Sequence, residues 1–285
     1  MTNTNPEQLS QHVWRVPLRG ETLPPHDHTN TYVVVSGSVA TVIDPGSEHD
    51  SEITRLREFM QHLGVTLVKN ILLTHTHPDH VAGLATAWEQ FDQPTVYLHA
   101  AEASRLSGPW RTAYLDEGHR LANGNTVIQT WYTPGHSPGS LSFLVLNDRS
   151  QLEAMIVGDV ITETGSVWVG HPEGDVSVYL ATLQRIRQFN PAVIGPGHGS
   201  GIHDARSRVN ELITHKEQRE QEIMAAIGTD TVTLSELTSR VYPDVPAEVM
   251  LHAQTSILAH VLKLMRELQV VHLGDSETGP YALRR

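Results

Sequence analysis

From Val13 to about Ile202, short apolar runs rich in β-branched residues are separated by turns and amphipathic stretches. The runs are "TYVVV", "VATVID", "NILLT", "TVYLH", "TVIQTWY", "LSFLVL", "EAMIVGD" and "AVIGPG". Their Val, Ile and Tyr content, with Gly, Pro or Asn at the ends, predicts strands. Between them, "SEITRLREFMQHLG" carries apolar residues at helical spacing and closes on Gly64. "HVAGLATAWEQF" and "VSVYLATLQRIRQFN" read as two further helices, the second stopping before Pro191. Strands interleaved with helices predict an α+β fold built in layers.

After about Asn210 the apolar period lengthens. "ELITHKEQREQEIMAAIG", "TLSELTSRVY" and "PAEVMLHAQTSILAHVLKLMRELQ" read as three helices, and "VVHL" and "PYAL" flank the turn "GDSETG" as a hairpin. The expectation is a layered domain over residues 1–209 and a winged-helix-like helical domain over residues 210–285. A chain of 285 residues accommodates one large domain with a small appendage. There is no internal repeat or low-complexity tract.

Composition narrows the function. A hydrophobic content of 39% fits a globular protein. The net charge of −12 opposes nonspecific attraction to nucleic acid or anionic membrane, which clustered Lys and Arg would drive. Residues 210–285 hold 11 acidic and 7 basic side chains, so the helical region lacks the basic face that groove reading requires. Packing against the main domain, or formation of a homodimer through the amphipathic third helix, is expected instead. The start "MTNTNPEQLSQHVWRV" lacks a basic segment followed by an apolar one, and no apolar run approaches the roughly 18 residues of a membrane span. A cytoplasmic protein with no membrane partner is expected. Without cysteine, any metal must be held by His, Asp or Glu.

Such residues converge in "THTHPDH". His75 and His77 are one residue apart, so in an extended segment leaving a strand both imidazoles can project to the same side. Asp79 and His80 follow Pro78 at the turn into a helix. The arrangement recurs: His136 in "WYTPGHSPGS", Asp159 after "AMIVG" and His198 in "AVIGPGHGSG" each end an apolar run beside Gly or Pro. A lone histidine at a strand end is ordinarily a solvated loop residue, but that reading does not explain the repeated placement. Sites in layered folds form where strand ends converge. Seven N and O donors suffice for two divalent ions with coordination positions left for water.

In their order "TNTYVV", "VIDPG", "THTHPDHVAG", "TPGHSPGS", "VGD" and "GPGHG", over the first two-thirds of the chain, these motifs resemble the metallo-β-lactamase superfamily. The resemblance implies a four-layer αβ/βα sandwich. It also implies that His75, His77 and His136 bind one metal, that Asp79, His80 and His198 bind a second, and that Asp159 bridges them. The oxygen-reducing diiron flavoprotein branch has Glu where this chain has His77, and lactamases with a Cys ligand find no counterpart here. The C-terminal region, with "HKEQREQEI" after "PGHG", is similar to the β-lactamase-like protein 2 branch, in which a winged-helix-like domain follows the last His ligand.

The implied activity is a dinuclear hydrolase whose metal-bridging hydroxide attacks an acyl carbon or a phosphorus, with Asp79 and Asp159 as catalytic carboxylates. Zinc is the first expectation, and iron or manganese suits the same donors. Asp44 in "VIDPG" is the candidate acceptor for the second N–H of a ligating histidine, against the simpler role of shaping a turn before Pro45. His171 in "VWVGHPEGD" is a candidate to protonate a leaving group or contact substrate, against an ordinary loop residue. His99, His119, His203, His215, His252 and His260 read as structural or surface residues.

A small-molecule ester or thioester, as in relatives resembling hydroxyacylglutathione hydrolase, is the first substrate class. RNA or another phosphodiester is second, as for a metal-dependent endoribonuclease. It requires a basic, aromatic channel, for which Arg105, Trp110, Arg111, Tyr114 and Arg120 are candidates diluted by Asp116 and Glu117. A mononuclear iron enzyme of the sulfur dioxygenase kind and a non-catalytic metal-binding interaction protein complete the range. The intact ligand set argues against the last, because a structural site needs fewer ligands and no open position.

Overall fold

The computed structural model describes residues 5–274, 276 and 278–284. The chain forms two compact units: Met1–Pro134, Gly139–Gly165 and Gln188–Arg208 make the first, and Gly135–Pro138, Ser166–Arg187 and Val209–Arg285 the second.

In the first unit, β1 (Glu7–Gln8), β2 (Val13–Arg19), β3 (His28–Ser36), β4 (Val39–Ile43), β5 (Leu67–Leu72), β6 (Thr95–Leu98) and β7 (Thr112–Tyr114) lie side by side in chain order as one sheet. Pairing is antiparallel from β1 to β4 and parallel from β4 to β7. A second sheet has the order β12 (Ile194–Pro196), β11 (Leu152–Gly158), β10 (Leu141–Leu146), β9 (Thr126–Tyr132), β8 (Arg120–Asn123), with only β11 and β12 parallel.

Alternation along the strands sends side chains to two cores. On one face of the first sheet, Val16, Leu18, Val33, Val42 and Ile71 pack against Ile53, Leu56 and Met60 of α1 (Asp50–His62) and against residues from the segment after β5. On the other face, Tyr32, Val34, Ile43 and Leu72 meet Ile128, Phe143, Val145 and Ile156 of the second sheet.

Several expectations change, and β1, β7 and β8 also lie outside the predicted runs. The helix read over residues 80–91 is broken into α2 (Pro78–Val81) and α3 (Leu84–Gln90). Gly83 between them packs so closely that a Cβ there would lie 2.5 Å from Ile53 Cδ1 and 2.7 Å from Pro45 O. Strand β2 was not among the predicted runs because Pro17 interrupts it. Among the described residues its neighbour β1 pairs with Arg15 and Trp14 and not with Pro17, and proline is tolerated at such a strand edge.

Further along the chain come α4 (Val176–Phe189), α5 (Ala205–Ile227), α6 (Leu234–Val241) and α7 (Met250–Arg266). Helix α5 begins earlier than the periodicity indicated, where Asp204 Oδ1 accepts from Ser207 N at 3.0 Å. A reciprocal Thr233–Glu236 capping box starts α6. The hairpin is present as β13 (Val270–His272) paired with β14 (Tyr281–Leu283), while Asp275 and Glu277 of its turn lie outside the described residues. Ile223, Ile227, Leu237, Ile257, Val261, Leu264, Val270 and Tyr281 form the separate core of this unit. Among the described residues no helix is long and apolar enough to cross a membrane.

Phe143 is fully buried between the two sheets. Phe143→Ala is expected to cost about 3–5 kcal/mol of stability, read as a lowered urea midpoint with an unchanged m-value.

Candidate metal centre

Strand ends assemble the site. Asp44 follows β4, and "THTHPDH" leaves the end of β5, parallel to it. Asp159 follows β11, and His198 lies just past β12, again a parallel pair. Asp79, His80, Asp159 and His198 each offer a ligand atom, and these atoms all lie within 4.8 Å of one another. Asp159 Oδ1 is 3.2 Å from His80 Nε2 and 3.4 Å from His198 Nε2, and Asp79 Oδ2 is 3.3 Å from His198 Nε2. Gly197 makes room for this cluster, since a Cβ there would sit 2.1 Å from Asp159 Oδ1.

The histidines are oriented through their other nitrogens. His80 Nδ1 lies 2.8 Å from Asp44 Oδ2, so the ring donates there and turns Nε2 toward the cluster. His198 Nδ1 meets His28 O at 2.9 Å with the same result. His75 Nδ1 lies 3.0 Å from Thr74 Oγ1, whose own proton goes to Asp44 Oδ2, so the imidazole is the donor. That leaves His75 Nε2 facing His77 Nδ1 at 3.0 Å, with the His75 and His80 rings 4.2 Å apart. In the second unit, His136 Nδ1 is 2.8 Å from Trp168 O.

Charge reinforces the geometry. Burial pushes Asp79 up, but His80, His198 and the Thr22 hydroxyl outweigh it and hold the carboxyl at about 2. Burial pulls His198 down, yet Asp159 and Asp79 raise it to about 10. Two partly buried carboxylates thus hold positive charge on the imidazoles, at lone pairs for which a cation would compete.

Several contributors carry no motif signature. Glu102 is fully buried and accepts from Thr76 Oγ1 at 2.6 Å and from Gly139 N at 2.8 Å, fixing the backbone between His75 and His77. Thr22 Oγ1 donates to Asp79 Oδ2 at 2.6 Å, and the His26 ring stacks on His198 at 5.0 Å. The "HDH" following a double proline was the one available cue to this loop. His171 is half-buried, its backbone N–H donates to Thr255 O at 3.1 Å, and it falls in neither potential ligand group among the described residues. His99 caps the turn at Ala101 and stacks on Tyr132.

The residues fit a metal. Among the described residues His80 Nε2 is buried without a hydrogen bond, and the donor set is imidazole and carboxylate, suited to zinc, iron or manganese. A layered α+β fold with such donors at its strand ends defines a metal-dependent hydrolase. Residues 24–198 match the metallo-beta-lactamase superfamily, and the chain belongs to it. Residues 233–279 match the beta-lactamase associated winged helix domain, as the helical texture of that region led one to expect.

Among relatives, a beta-lactamase-like protein 2 homolog of Caenorhabditis elegans is 28% identical over 84% of this chain and 79% of its own length. An atrochrysone carboxyl ACP thioesterase of Aspergillus fumigatus is 25% identical over 85% of this chain and 77% of its own. A metallo-beta-lactamase family protein from Thermus thermophilus shares the fold, with a TM-score of 0.78 and 23% identity over 97% of this chain and 100% of that one.

Asp44→Asn keeps the side-chain shape but removes the charge that orients His80. It is expected to weaken metal affinity about 10–100-fold, measured by competition with a chromogenic chelator, with folding retained.

Proposed function

We propose that the chain hydrolyses a thioester or ester of a small organic molecule, in the manner of hydroxyacylglutathione hydrolase, with two divalent ions, zinc first among them. In this reading His75, His77 and His136 hold one ion, Asp79, His80 and His198 hold the other, and Asp159 is shared. The observation that carries it is the convergence of Asp79, His80, Asp159 and His198 on one point, each histidine backed by an oxygen acceptor. The ions, when bound, bring the pKa of water toward neutrality and polarise the acyl oxygen.

The protein's own groups do the rest. Asp159 and Asp79 supply the negative charge that balances the cations. Thr22 holds Asp79 Oδ2 and so sets which way that carboxylate faces a water. His80 and His198 are locked by Asp44 and by the His28 carbonyl, which removes the cost of reorganising them during reaction. His171 remains a candidate to protonate a leaving group or contact substrate.

An acyl electrophile is favoured over a phosphodiester by two facts. The relative from Aspergillus fumigatus bears a thioesterase name. Of the side chains that would line a nucleic-acid channel, Trp110 packs against the first core and Arg105 pairs with buried Glu102 at 3.4 Å.

Protein purified without added metal is expected to carry close to two divalent ions per chain by elemental mass spectrometry, and to turn over thioesters in a panel with phosphodiesters and lactones. Asp79→Asn and Asp159→Asn should each lower turnover by on the order of 100-fold or more while leaving the circular dichroism spectrum unchanged. Full activity in either variant, or after chelation, would refute the mechanism.

A further inference from the structure

Residues 166–170 of the second unit, "SVWVG", have no regular secondary structure, yet helices of the C-terminal sequence tie this segment and the following His171 down at three points. Lys216 Nζ on α5 donates to Val167 O at 2.7 Å. Trp168 Nε1 donates to His252 O at 3.0 Å, and His171 N donates to Thr255 O at 3.1 Å, both acceptors being on α7. Among these anchors sits the Trp168 carbonyl, which accepts from His136 Nδ1 at 2.8 Å.

The His136 backbone is tied to α7 as well, through Asp175. Asp175 N donates to Gly135 O at 2.9 Å, and Asp175 Oδ1 accepts from Arg266 of α7 at 2.8 Å. Gly135, with φ +127, packs so tightly that a Cβ would lie 2.3 Å from Tyr179 Cα. Lys216 is a costly way to make one of these ties: it is 3% exposed and lies 5.5 Å from the Tyr179 ring centroid. Burial and the neighbouring Arg219 pull its pKa down to about 7. An apolar side chain would fill that space without the desolvation penalty, so the donor itself is the feature to explain.

We propose that the C-terminal helices position the metal ligand His136 by fixing the Trp168 carbonyl, with the Lys216 and Trp168 side chains as positioning residues. This rests on the reading of His136 as a ligand of one of two ions. The carbonyl sets the imidazole tautomer and the ring plane, and no substitution can remove a carbonyl. Its position therefore depends on the side chains that pin the backbone on either side.

The test uses the full-length protein and zinc as the probe. Trp168→Phe keeps an aromatic ring and drops the indole donor, Lys216→Met keeps the length and drops the amine, and Thr233→Ala removes a helix cap in the same unit as a control for general loosening. Chelator competition on the wild type should show two zinc ions. In Trp168→Phe and Lys216→Met one ion should weaken about 10–100-fold while the other stays within about twofold. Amides 166–171 should exchange faster with deuterium in the chelated protein, and Thr233→Ala should change neither readout. Unchanged affinities for both ions in both variants would overturn the proposal, as would an equal weakening in Thr233→Ala. A wild type that binds a single ion would instead overturn the dinuclear reading, and the inference with it.

Discussion

Asp44 carries the constraint on which the cluster depends. Its N–H donates to Leu72 O at 3.0 Å, continuing the β4–β5 ladder, and at φ +53 the chain then turns away. The carboxylate accepts from Thr74 N, Thr74 Oγ1 and His80 Nδ1 at 2.8, 2.6 and 2.8 Å, while Thr31 Oγ1 donates to its carbonyl at 2.6 Å. A carboxylate that is 1% exposed is tolerable only with such partners. The same bonds that satisfy it fix the exit direction of β5 and the plane of the His80 ring. Left-handed backbone at a non-glycine residue costs on the order of 1 kcal/mol or more, and here the surrounding bonds impose it.

How much of this the sequence revealed follows from what kind of group does each job. Most strands, and the His and Asp side chains that end them, were legible because apolar runs stop abruptly at those residues beside Gly or Pro. Pro17 hid β2, since a proline inside an apolar run argues against a strand until its neighbours are seen. The broken helix at Gly83 was hidden because the cause is a contact with Pro45 and Ile53, distant in the chain. Backbone acceptors such as His28 O and Trp168 O have no side-chain signature at all. Glu102 and Thr22 act on residues 26 and 57 positions away, so only the fold reveals them.

The helical unit shows a second use of buried polarity. Glu220 on α5 lies 2.9 Å from Lys263 and 3.5 Å from His260, both on α7. A polar seam of this sort contributes less stability than an apolar one of equal volume, but it penalises any sliding of the two helices. Because α5 also carries Lys216 and α7 also presents His252 O and Thr255 O, their mutual register decides where the 166–171 segment lies.

The alternation Thr74, His75, Thr76, His77 carries a further implication. The threonines reach back into the protein, to Asp44 and Glu102, and the histidines face one another and His80. Hydroxyls that anchor and imidazoles that present themselves are thus interleaved with a period of two. The segment works as a ruler: losing or gaining one residue would exchange every anchoring hydroxyl for an imidazole. During divergence, then, the length of this stretch is less free to drift than the identity of the residues around it.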